Sequence, residues 1–73
     1  MSVACRHECL YTHQKAKKRK VWQDGFVQVD AQRRLTLLDV NDKVLGSLLL
    51  SHTQADALEG AELETDRFLV MVE

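Results

Sequence analysis

Short apolar runs alternate with polar turns along the chain, at intervals of about 8 to 12 residues. "HECLYTHQ" (7–14) alternates with a period near two, as a half-buried strand does. "VWQDGFVQV" (21–29) reads as a second strand, and Gly25 inside it predicts a bulge or bend. "AQRR" is a turn, "LTLLDV" a third strand, and "NDK" a tight-turn signal before a fourth strand, "VLGSLLLS". "QADALEGAELE" (54–64) predicts a helical turn or a long loop. "DRFLVMVE" closes the chain as a fifth strand.

Two of these runs, "SLLLS" and "FLVMV", are apolar on both strand faces. In a chain of 73 residues that suits a tightly curled sheet, or a strand covered by another element. The fold expected is all-β: a small five-stranded antiparallel barrel, partly open, of the SH3 or Tudor type. An OB-like barrel is the alternative, and either accommodates a loop or short helical turn before the last strand.

The length allows one domain, spanning residues 1–73, with a modest core. Hydrophobic residues make up 45% and charged residues 29%, which excludes a disordered chain. No apolar run approaches the roughly 20 residues that span a membrane, so no membrane partner is expected. The N-terminus lacks the core of a signal peptide. Two cysteines four apart make no disulfide framework, which favours a reducing compartment. The chain stops directly after "FLVMV", which suggests a domain excised from a longer protein.

The net charge of −1 conceals a segregation of sign. Five of the six residues from Lys15 to Lys20 are basic. From Asp56 to Glu73 there are six acids and one base, Arg67. The molecule therefore has a positive and a negative pole.

Candidate chemistry is sparse. Cys5, His7, Cys9 and His13 are zinc-ligand types, but positions four apart on a strand lie about 13 Å apart. Ordinary thiols and imidazoles are the simpler reading, and no metal or other cofactor is expected. Ser51 and His52 are adjacent, so on a strand they point to opposite faces. No phosphate-cradling glycine loop or nucleophile elbow occurs, so the chain reads as non-enzymatic. Asp24 and Gly25 read as structural. Gly25 suits a positive φ or a crowded backbone position, and Asp24 suits local hydrogen bonds at a bulge.

The basic run Lys15, Lys17, Lys18, Arg19 and Lys20 has three readings. It can be a solvated hairpin tip, a phosphate-contacting loop or a nuclear address. Tyr11 and Trp22 flank it and could stack on single-stranded bases, although such residues more often serve a core or its rim.

Taken together, the two ends of the chain resemble a known family. Tyr11 and Thr12 open the pattern, followed by a basic loop with Lys15, Lys18 and Lys20. A K-x-W-x-D-G signature follows, with Trp22, Asp24 and Gly25, and a final D-R-F-L run, Asp66, Arg67, Phe68 and Leu69. The chain is similar to the N-terminal domain of the GRF-zinc-finger 5′–3′ DNA helicases, shared with fungal recombination and telomere-maintenance factors. The resemblance implies a nuclear protein acting in DNA repair and homologous recombination. It also implies a docking or recruitment module, with a FANCM-type helicase as candidate partner. The helicase motor would lie outside these residues, and the full-length protein would be the ATP-dependent enzyme.

Two functions follow as expectations. The first is protein docking, through exposed strand edges and a surface near Tyr11, Trp22 and the Lys15–Lys20 loop, or through the acidic "ELETD" edge. The second is direct binding of single-stranded or branched DNA by the basic loop. "KAKKRK" and "AQRR" are separated by one strand, so a meander puts them at opposite ends, and the acidic tail opposes polyanions. Docking therefore ranks first.

Overall fold

Two hairpin turns are built alike. At each, an aspartate closes a strand and its side chain organises the residues that follow. Asp30 Oδ1 accepts hydrogen bonds from the amides of Gln32 and Arg34, at 2.9 and 3.0 Å. Asp39 Oδ1 accepts from those of Asn41 and Lys43, at 2.8 and 2.9 Å. The third residue after each aspartate, Arg33 or Asp42, is left-handed, with φ of 64° and 63°. Its amide donates to the aspartate's own carbonyl at 3.0 Å. This is a three-residue hairpin loop ending in a left-handed residue, the geometry that matches strand twist.

The computed structural model describes residues 3–73. The strands are β1 (Val3–Thr12), β2 (Gln23–Asp30), β3 (Arg34–Asp39), β4 (Val44–Leu49), β5 (Glu62–Glu64) and β6 (Leu69–Val72). One short helix, α1 (His52–Asp56), lies between β4 and β5. Ser51 caps it, its hydroxyl accepting from the Gln54 amide at 3.1 Å while Gln54 Oε1 accepts from the Ser51 amide. The strands form one antiparallel sheet in the order β4-β3-β2-β1-β6-β5.

The sheet curls into a half-barrel. A Cβ built on Gly46, in the edge strand β4, would sit 3.7 Å from Thr65 Oγ1, just beyond the opposite edge strand. The all-β, partly open barrel expected from the patterning is present, with six strands where five are legible. The additional strand is β5, three residues inside the segment expected to be loop or helical turn. The last strand begins at Leu69 rather than Asp66, because "TDRF" is a turn: the Thr65 amide donates to the Phe68 carbonyl at 2.8 Å.

Gly25 is not a bulge and has no positive φ. It pairs in register with Cys9 on β1 and Asp39 on β3. The register shifts lie instead between Val3 and Cys5 and between Leu37 and Leu38. Gly25 answers to crowding. A Cβ there would stand 2.6 Å from the Leu38 carbonyl oxygen and 2.8 Å from Tyr11 Cε1. Asp24 is exposed opposite Leu10, and its carboxylate accepts no hydrogen bond among the described residues.

The concave face carries the core: Cys9, Tyr11, Val27, Val29, Leu35, Leu37, Leu63, Val70 and Val72, closed at its ends by Leu50 and Leu58. Cys9 is 2% exposed, and burial pushes its thiol up to about 11, with the Glu73 carboxylate adding to the effect. Burial also raises the Tyr11 phenol, helped by Asp39 and Cys9. The unfolded thiol loses its proton near 9.0, so between that value and about 11 the folded state holds more protons. The stability associated with this thiol is thus complete below about pH 9 and declines as pH rises towards 11. By about pH 10 the loss should reach about 1 kcal/mol. Urea melts at about pH 8 and about pH 10 measure it. A Cys9→Val variant should lose the part of the decline due to the thiol, and an equal decline in both proteins would contradict the assignment.

Candidate functional site

The loop between β1 and β2, residues 13–22, does not stand free as a basic hairpin tip. It leans over the β5–β6 hairpin and is fastened there by Lys15. The half-buried Lys15 Nζ donates to Glu64 Oε2 at 3.0 Å, to the Asp66 carbonyl at 3.1 Å, and to the Thr65 carbonyl. Gln14 Oε1 accepts from the Val21 amide at 2.7 Å, which closes the loop on itself. Lys20 Nζ turns back to the Lys17 carbonyl at 2.6 Å. The basic run therefore divides by role: Lys15 clamps and Lys20 folds back, while Lys17, Lys18 and Arg19 remain exposed.

Tyr11, expected at a binding surface, lies instead in the core, 7% exposed. Its ring meets Phe68 edge-on, with centroids 5.6 Å apart, and its hydroxyl reaches Gln23 Oε1 at 3.3 Å. Tyr11 and Phe68 thus tie β1 to the β5–β6 turn through packing worth about 1 kcal/mol beyond area burial. Asp66 and Arg67 are exposed at the tip of that turn. Asp66 contributes its carbonyl to the Lys15 clamp.

Trp22 is not the core aromatic that a small barrel would use. It is half-buried, just before β2, at the rim of a pocket of about 320 Å³. The pocket lies between the loop and the β5–β6 hairpin, and Lys20, Glu62, Glu64 and Leu69 also line it. Leu69 pairs with Thr12 and Glu64, and Met71 with Leu10 and Glu62. Since strand side chains alternate, Leu69, Met71, Leu10, Glu62 and Glu64 share the convex face. The runs that were apolar on both faces are explained in this way: Val70 and Val72 point into the barrel, while Leu69 and Met71 are half-buried outside it. On β4, Leu49 is 65% exposed. Near the loop this face is partly covered: Thr12, opposite Leu69, is buried, and Lys20 and Trp22 line the pocket with Leu69.

The "AQRR" turn lies at the far end of β2 from the basic loop, as the meander predicts. Eight residues of strand separate the two by roughly 25 Å. Arg33 turns away towards His52, its Nη1 2.7 Å from Nδ1. Cys5, His7 and Cys9 all lie on β1, as the strand reading required. Among the described residues no group of three or more His, Cys, Asp or Glu side chains is arranged to hold a metal.

Sequence reasoning missed the Lys15 clamp and the pocket that Trp22 lines together with β5. Neither has a local signal, since the partners lie far along the chain.

The profile of the family described as "DNA helicase ZGRF1-like, N-terminal domain" matches residues 5–73. The mouse 5′-3′ DNA helicase ZGRF1 is 42% identical over 65 residues, covering 88% of this chain. The chain spans only 3% of the length of that helicase. No solved structure matches. The match over nearly the whole chain and this identity show that the chain belongs to the family of ZGRF1-like DNA helicase N-terminal domains.

Proposed function

We propose that this domain is a non-catalytic docking module of a nuclear protein in DNA repair and homologous recombination, recruiting a protein partner such as a FANCM-type helicase. The observation that carries the reading is the half-buried apolar surface of the convex face. A domain this small places Leu10, Leu69, Met71 and Trp22 on one side, each half-buried and none of them in the core. Contiguous apolar surface rimmed by polar groups is characteristic of interaction sites. Family membership supports the setting, as the related protein is a DNA helicase far longer than this chain.

Direct DNA binding is the second reading, favoured by the exposed Lys17, Lys18 and Arg19. Three cations on one loop give a modest phosphate footprint, because Lys15 and Lys20 are engaged with oxygens of the fold. Titrating the domain against a purified FANCM-type helicase, and against fluorescent single-stranded and branched DNA at low and near-physiological salt, separates the two. Docking predicts saturable helicase binding that survives Lys17, Lys18 and Arg19 changed to Glu, with DNA binding weak and lost as salt rises. Tight DNA binding at near-physiological salt, abolished by the same changes and with no helicase binding, would reverse the assignment.

A further inference from the structure

We infer that the Trp22–Leu69 pocket takes an apolar side chain of an extended peptide whose neighbouring residues are lysine or arginine. The inference rests on the docking reading and adds to it the place and the chemistry of the ligand.

Three observations converge on the pocket. The first is its shape: about 320 Å³, room for one large side chain, with Trp22 and Leu69 on its walls. The second is charge. Glu62 and Glu64 line it, and the ladder places Asp24 beside Leu10 and Glu8 beside Phe26 on the same convex face. Glu73 adjoins them, its amide donating to the Glu8 carbonyl at 3.0 Å. Against these stand Lys15, which neutralises Glu64, and Lys20, which lines the pocket while its Nζ donates to the Lys17 carbonyl. Arg6 is on this face too, held by Asp42 and lying over the Phe26 ring. Glu62 is left as a carboxylate at the pocket with no ion-pair partner among the described residues.

The third observation is the strand edge. β5 ends the sheet and pairs on one side only, with β6. An extended segment laid along it can form main-chain hydrogen bonds while every second side chain turns towards the convex face. The pocket then reads an apolar residue, and Glu62 reads a cation beside it. The exposed tip of Lys17, Lys18 and Arg19 attracts an acidic ligand and repels a basic one. A cationic ligand must therefore run along β5, away from the tip.

The test uses the isotopically labelled 73-residue chain and three short synthetic peptides: one with a single Phe among Lys and Arg, one with Glu for every cation, and one with Ser for the Phe. The first should shift the Trp22 indole and the amides of Glu62, Leu63, Glu64 and Leu69. Glu62→Lys, on an exposed side chain outside the clamp, should weaken it at least tenfold. The Glu and Ser peptides should bind at least tenfold more weakly. The inference is overturned by equal binding of the Glu peptide, by shifts confined to residues 17–19, or by Glu62→Lys binding like the parent. If the FANCM-type helicase binds but is indifferent to both Glu62→Lys and Trp22→Ala, the pocket is overturned and docking stands. If the basic peptide binds at Trp22 while no helicase does, the pocket stands and the named partner falls.

Discussion

Gly25→Ala should destabilise the domain by about 3 kcal/mol, a large share of the 4–11 kcal/mol on the order of which a chain this size is stable. The new methyl carbon would stand 2.6 Å from the Leu38 carbonyl oxygen, 2.8 Å from Tyr11 Cε1 and 2.9 Å from Tyr11 Cδ1. The ring could retreat only by giving up its edge contact with Phe68. The carbonyl belongs to the central strand β3, paired on both sides, and cannot retreat without breaking the ladder. A fall in melting temperature of about 15–20 °C is expected. Truncating Tyr11 to Leu should recover only part of it in the double variant, because the backbone contact remains. Gly46→Ala is the control: its methyl would meet Thr65 Oγ1 at 3.7 Å, ordinary contact, and should change stability by less than about 0.5 kcal/mol. Equal effects at the two glycines would refute the crowding account.

Lys15→Met is the second large effect, about 2 kcal/mol and a fall of roughly 10 °C. Methionine keeps most of the stem's packing and removes the ammonium. The ion pair with Glu64 contributes little of this, since that carboxylate is 65% exposed and well screened. The larger share comes from the Thr65 and Asp66 carbonyls, which lose a charged donor in a partly buried turn. Glu64→Gln should therefore cost less than about 0.5 kcal/mol, and so should alanine at Lys17, Lys18 or Arg19 singly. Hydrogen exchange would separate Lys15 further: only its loss should speed exchange at the Val21 amide and across residues 13–22. If Lys15 proved equivalent to Lys17, Lys18 and Arg19 in these melts, the clamp would not exist.

How far the fold was legible follows from where the information lies. The four longer strands and both hairpin turns are written locally, in apolar alternation and in "AQRR" and "NDK". β5 was hidden because three residues, Glu62–Glu64, carry too little alternation to stand out after the alanines and leucine of "ADALEGA". The site was harder to read. Tyr11 and Trp22 are both aromatic with a polar handle, and only tertiary placement puts one inside and the other at the rim. Five cations look interchangeable in sequence, and the oxygens that single out Lys15 lie at Glu64, Thr65 and Asp66. Gly25 announced a constraint, but its causes, the Leu38 carbonyl and the Tyr11 ring, lie on the two neighbouring strands.

The pairing of β6 with β1 sets the order in which the molecule can assemble. Strands β2, β3 and β4 join through short turns, so their meander has little loop entropy to overcome and can form early. The join between Cys9 and Val72 spans nearly the whole chain and must wait. On a ribosome, β1 is made before β6, so this edge finds its partner only once residues 69–72 have emerged. Until then it is an open template for pairing with other chains. Charges flank that edge, from Arg6 and Glu8 to the lysines that follow Thr12, and charge is one way an open edge is kept from pairing with other chains.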